Sequence, residues 1–214
     1  MRYFYHQIFA VLGLIFIVVF YVFVNLAIAV SSGSVVALDS YLVNIFYFYR
    51  EQWLAVFFSL VTFLGSSPVV AIIAIILTAF FFVRRKFAYI FPFMITFFGT
   101  EFSVYILKEI IHRVRPPADM AFIVENSFSF PSGHATIAVA LYGFIIYILF
   151  REFGSRLHRF FILLFGVLLI FLVGLSRLYL GVHFFSDVVG GYLLGLIWLI
   201  IGIFVSEVLT RRAG

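Results

Sequence analysis

Residues 8–30, IFAVLGLIFIVVFYVFVNLAIAV, decide the fold class. The run carries no charge and exceeds the about 20 mostly apolar residues that a bilayer-crossing helix needs. It is too long for the core of a secretory signal peptide, and no convincing small-x-small cleavage site precedes the polar turn Ser31-Ser32-Gly33-Ser34. The run reads as a retained helix acting as a signal anchor.

The rest of the chain repeats that character. Of 214 residues, 65% are hydrophobic and 11% charged, with mean hydropathy +1.23. A soluble domain is about 45–50% apolar and about 25% charged, and one of this size has no interior large enough for so much apolar surface. The bilayer must therefore solvate much of this protein. The 32 Phe and 12 Tyr fit both hydrocarbon and its interface. The sequence predicts an all-α polytopic helical bundle, one membrane-embedded domain over 1–214, with spans at 7–30, 67–83, 87–111, 134–150, 159–176 and 186–209. Between the first two spans, residues 31–66 hold Asp39, Arg50 and Glu51 among many aromatics, and Gly65-Ser66-Ser67-Pro68 closes them off. This stretch reads as one or two amphipathic helices at the interface, with a re-entrant segment as the alternative.

The absence of cysteine excludes disulfides and thiolate metal sites. The net charge of +5 does not point to nucleic acid, because the basic residues form no stripe. Arg2, Arg84-Arg85-Lys86, Arg151, Arg156, Arg159 and Arg211-Arg212 cluster at span ends, and six spans put them all on one side. By the positive-inside rule that side is the cytoplasm, with both termini in it. The ends carrying Arg115, Pro131 and Arg177 then face outward.

Ionisable groups near the spans are costly, which makes each a candidate functional residue. Glu101, Tyr105, Lys108, His112 and Arg115 follow steps of three and four and should share one helical face. Pro131-Ser132-Gly133-His134 opens an apolar run, so its free N–H groups form an anion site at a helix start. Ser176-Arg177 precedes His183 and Asp187, which are four apart; a carboxylate there can hold one imidazole nitrogen and leave the other free to attack. Fixed cations with N–H donors suit a phosphoryl group, and two histidines can divide nucleophile from acid. With no carboxylate cluster for a metal, a metal-independent route through phosphohistidine is favoured.

Taken together, Lys108 with Arg115-Pro116, Pro131-Ser132-Gly133-His134, and Ser176-Arg177 with His183 and Asp187 resemble the three-part signature of the type-2 phosphatidic acid phosphatases. That superfamily also includes glucose-6-phosphatase and the vanadium haloperoxidases. The motifs cover 108–187. The resemblance implies that His183 attacks phosphorus, that Asp187 orients and charges it, and that His134 protonates the leaving group. It implies that Lys108, Arg115, Arg177, Ser132 and the Gly133 backbone hold the phosphate oxygens; the residues alone leave open which histidine is which.

The expectation is a metal-independent lipid phosphate phosphatase at the extracytoplasmic face of the cell membrane. It would need no cofactor, obligatory protein partner or nucleic acid. Its substrate would be a membrane lipid phosphomonoester or diphosphate: phosphatidylglycerophosphate, phosphatidic acid or undecaprenyl diphosphate. A phosphotransferase using the same intermediate, or an anion transporter, is the alternative. His6, His158, Asp119 and Glu125 read as solvated charges and Glu101 as structural. His112 and Arg113 stand between substrate contact and interface anchoring.

Overall fold

The computed structural model describes residues 2–212. The side chains of Arg2, His6, Arg211 and Arg212, invoked above for charge and orientation, lie outside the described residues. Nine α-helices follow in order among those described: α1 (Arg2–Ser31), α2 (Val36–Phe48), α3 (Gln52–Phe63), α4 (Ser67–Val83), α5 (Ile90–Ile111), α6 (Gly133–Ile137), α7 (Gly143–Glu152), α8 (Arg156–Tyr179) and α9 (Phe185–Arg212). A π-helical turn, Ala138–Tyr142, joins α6 to α7, so Gly133–Glu152 is one rod. Six stretches are long and apolar enough to cross a membrane.

The second of these differs from the sequence expectation, in which a span begins at residue 67. α3 is continuous with α4 across the short bend Leu64–Ser66, and Gln52–Val83 forms one apolar stretch of 32 residues. The bend survives in an apolar setting because Tyr142 Oη donates to the Leu64 carbonyl (2.7 Å), meeting one of the acceptors a helix end leaves free. The Ser67-Pro68 start of α4 suits a first turn, where the missing proline N–H costs nothing. α2, at 13 residues, is too short to cross. It turns Asp39 and Val43 inward and leaves Val36, Leu38, Tyr41 and Phe48 exposed, as an interfacial helix does.

α9 is the hub, packing on α1, α5 and α6, while α3 packs on α8. The two ends of the bundle are distinct. At one end Lys86 pairs with Glu152 (2.5 Å), Arg151 with Glu207 (2.5 Å), and Phe9 meets Phe204. At the other end the α2–α3 turn, the 112–132 loop and the α8–α9 turn are sewn together. Arg50 donates to the carbonyls of Tyr179 (2.9 Å) and Met120 (2.6 Å), and the Glu51 N–H donates to Tyr179 Oη (2.8 Å). Arg50, one of the charges of the interfacial stretch, is therefore a clamp across three chain segments.

Candidate active site

The sewn end encloses a cavity of about 270 Å³. Lys108, Arg115, Gly133, His134, Arg177 and His183 all line it, together with Glu101, Tyr105 and Glu125. Six of the eight sequence-predicted site residues therefore meet at one place. Asp187 lies behind His183, away from the cavity wall. Ser132 does not line it either: its hydroxyl is fully buried without a partner, one residue before the lining Gly133.

α5 places Lys108 but not Arg115 directly. The helix ends at Ile111, because His112 adopts the left-handed conformation (φ 50°) and its N–H closes on the Lys108 carbonyl. The face predicted to run from Glu101 to Arg115 thus stops short, and His112 packs against Phe128 instead. The chain doubles back, and the Arg115 guanidinium returns to the cavity. It donates from Nε to the Ser127 carbonyl (2.6 Å) and from Nη1 to the Val182 carbonyl (2.7 Å). Lys108 Nζ donates to Ser127 Oγ (2.9 Å), which ties both cations to one loop residue.

The histidine of the α8–α9 turn is held on both sides. Arg115 Nη1 donates to His183 Nε2 (3.1 Å). A guanidinium has donors only, so Nε2 carries the lone pair and the ring proton sits on Nδ1. That nitrogen faces Asp187 Oδ2 (3.4 Å) and Ser129 Oγ (3.3 Å). Ser129 in turn donates to Asp187 Oδ2, as does the Phe184 N–H (2.8 Å). Burial first, then the charges of Arg177 and Arg115, hold His183 well below the usual imidazole range. The ring is therefore neutral at ordinary pH, with an unprotonated nitrogen turned toward a cationic cavity.

Arg177 is 1% exposed. It donates to Thr62 Oγ1 (2.8 Å) on α3 and to Glu125 Oε1 (2.5 Å), while its Nε has no partner. Glu125 corrects the sequence expectation of a solvated loop charge. It stands between Arg177 and Arg115 (3.8 Å) and lines the cavity. Burial alone would raise its carboxyl, but the attraction of Arg177 and Arg115 outweighs this and keeps it below the ordinary carboxylate range. Glu125 is thus an anion held against two of the site's cations.

Arg113 and Asp39 also belong to this end. Arg113 donates from Nη1 to Asp187 Oδ1 and to Ser186 Oγ (2.6 Å each), and from Nη2 to Asp39 Oδ2 (2.6 Å). Its guanidinium covers the Phe184 ring at 4.4 Å. Asp39 accepts from the Ser186 N–H (3.0 Å) and hydroxyl (2.5 Å). The sequence leaves Arg113 between substrate contact and interface anchoring and places Asp39 in the interfacial stretch without a role. The available signal was the spacing of Asp39 and Val43, which puts a carboxylate on the inward face of α2.

A fixed set of cations, the start of a helix and a neutral imidazole face one cavity, an arrangement chemically able to receive an anionic group such as a phosphoryl. The pattern of the PAP2 superfamily matches residues 87–210. Phosphatidylglycerophosphatase B of Bacillus subtilis (strain 168) is 50% identical over 95 residues, which are 43% of this chain and 45% of that protein. The match thus spans less than half the length of that curated relative. The crystal structure of a transmembrane PAP2-type phosphatidylglycerolphosphate phosphatase from Bacillus subtilis superposes with TM-score 0.81 at 32% identity, covering 93% of this chain and 97% of that one. The crystal structure of Aquifex aeolicus LpxE superposes with TM-score 0.57 at 29% identity, covering 79% and 95%. The family match takes in α5 to α9 and with them nearly every group that lines the cavity, and this chain is a multi-pass membrane member of the PAP2 superfamily.

Proposed function

We propose that this protein is a lipid phosphate phosphatase working through a phosphohistidine on His183. The observation that carries the reading is the Arg115–His183–Asp187 arrangement: one ring nitrogen faces a carboxylate, and the other is unprotonated and accepts from Arg115, a cation of the cavity wall. In the first half-reaction Nε2 bonds to phosphorus as the bond from phosphorus to the lipid oxygen breaks, and His134 gives that oxygen its proton. The incoming phosphate brings the negative charge that favours protonated His134. Asp187 offsets the positive charge of the phosphorylated ring. In the second half His134 takes a proton from water, the water oxygen attacks phosphorus, and the N–P electron pair returns to His183. Lys108, Arg115, Arg177, the buried Ser132 hydroxyl and the N–H groups at the start of α6 are the donors for the phosphoryl oxygens.

Phosphatidylglycerophosphate is the first candidate substrate, since relatives matched over part or most of the chain carry that activity in their names. Phosphatidic acid and undecaprenyl diphosphate offer the same chemistry. No step here runs through a metal. Quenching turnover of a 32P-labelled lipid phosphate should trap a protein-bound phosphate that is acid-labile and base-stable, and His183→Ala should abolish it. Persistence of the label in that variant would exclude His183 as the attacking residue.

The reading puts the site at the extracytoplasmic face. Support comes from the basic clusters at the opposite end, around Arg84–Lys86 and Arg151–Arg159. The chain has no cysteine, so an Asp119→Cys variant carries a single thiol at an exposed position of the 112–132 loop. In intact cells it should react with a membrane-impermeant maleimide. Labelling only after permeabilisation would reverse the orientation.

A further inference from the structure

We infer that Asp39 and Arg113 are positioning residues for His183, acting through Asp187, so that the short helix α2 is part of the active site. This rests on the reading of His183 as nucleophile. Asp39 is 1% exposed and Asp187 0%. Each is bonded to one prong of the same guanidinium, and the Ser186 hydroxyl is bonded to both Asp39 and Arg113. The Asp39 carboxylate also takes the Ser186 N–H, fixing the first turn of α9 one residue before Asp187. Four chain segments therefore meet behind the nucleophile: α2, the return after α5, Ser129 of the loop, and the start of α9. None of Asp39, Arg113, Ser129, Ser186 and Asp187 lines the cavity; Ser129 and Asp187 reach it through His183.

The charges explain why such a knot stands there. Two carboxylates face one guanidinium, leaving one negative charge in excess directly behind the ring. The other charges around the site come from several elements. Glu101, Tyr105 and Lys108 come from α5, Arg115 from the segment after it, Glu125 from the loop, His134 from α6 and Arg177 from α8; α3 offers only the uncharged Thr62, and α4 only Ser67 and Val70. The cations in front would make a phosphorylated, positively charged imidazole costly. The excess charge behind offsets them, and Arg113 sets how much of it reaches the ring. With Arg113 shared between two carboxylates, Asp187 remains a strong acceptor for the Nδ1 proton. Were Arg113 bound to Asp187 alone, that acceptor would weaken.

The test is a charge cycle on the full-length protein in detergent, reading kcat and KM across pH. Asp39→Asn removes the excess negative charge. It should lower kcat by about 10-fold while KM stays within about twofold, a modest fraction of what misplacing a reacting group can cost. It should also move the acidic limb of kcat/KM, where His183 protonates, to lower pH. Arg113→Met adds to the excess and should move that limb to higher pH. The double variant restores the original balance and should bring the limb back toward the parent. Arg113→Lys keeps the charge but cannot span both carboxylates. It should leave the limb in place and lower kcat. A knot that only supports the fold would lower the folded fraction and the rate at every pH without opposed shifts. Limbs that do not move, or that move the same way in both single variants, would overturn the inference. His183→Ala separates the two claims. Turnover retained there sinks the nucleophile reading, whereas an inactive His183→Ala with unmoved limbs in the other variants sinks only the relay.

Discussion

Replacing His183 with Ala is expected to lower phosphate release by about 10⁴-fold or more, the scale seen when one member of a cooperating catalytic set is removed. The fold should survive the change. Asp187 keeps Arg113, Ser129 and the Phe184 N–H as partners, and Arg115 keeps the Val182 and Ser127 carbonyls. Parental elution and thermal unfolding with activity gone would separate chemistry from stability. His134→Ala should behave differently because its part is to move protons. With a lipid alkoxide as leaving group the loss should be about 10²–10⁴-fold. With p-nitrophenyl phosphate, whose phenolate leaves without a proton, formation of the phosphoenzyme should be far less impaired. Equally slowed phosphoenzyme formation from both substrates would deny His134 the role of acid. Slow phosphoenzyme formation from the lipid, with formation from the aryl phosphate intact, would assign it.

Much of this site was legible because the background is apolar. In a chain that is 11% charged, a lysine or arginine near a span end has few structural reasons to exist. Lys108, Arg115, Arg177 and the pair His183–Asp187 stood out for that reason, and the helical step of four already put the carboxylate near the ring. The groups that escaped notice are those whose partners are remote in sequence. Asp39 pairs with Arg113 across 74 residues and Arg177 with Glu125 across 52, and no local period announces either contact. Each carboxylate in isolation reads as a solvated charge, since pairing is a property of the tertiary fold. The same holds for the bend at Leu64–Ser66. Gly65-Ser66-Ser67-Pro68 has the composition of a helix boundary, and only the Tyr142 hydroxyl, two helices away in sequence, makes it a bend within one span.

Gly191→Ala is expected to lower stability by about 1–3 kcal/mol, the range for overpacking a filled interface, and to lower activity with it. A Cβ at Gly191 would lie 2.7 Å from the Ser132 carbonyl oxygen, 2.9 Å from Ala135 Cβ and 3.2 Å from the Thr136 N–H nitrogen. Two of those atoms are backbone, so no rotamer change relieves the contact. The helices themselves must part, as they do wherever a small residue that admits close approach is enlarged. The first turn of α6, which carries Ser132, Gly133 and His134, would then withdraw from α9, which carries Asp187. The direct link between the motifs, from the Ser132 N–H to the Asp187 carbonyl (3.0 Å), would stretch with it. Since a shift of about 1 Å in a reacting group can cost about 100-fold, kcat should fall further than the loss of folded protein accounts for. Gly13→Ala supplies the contrast. A Cβ there meets nothing within 4 Å on an exposed face of α1. Helix propensity alone should make that change neutral or stabilising by up to about 1 kcal/mol. Parental unfolding temperature and turnover in Gly191→Ala would mean that the two motif helices are not held at the spacing on which the phosphate site depends. A loss confined to Gly191→Ala would tie the geometry of the site to that one missing side chain.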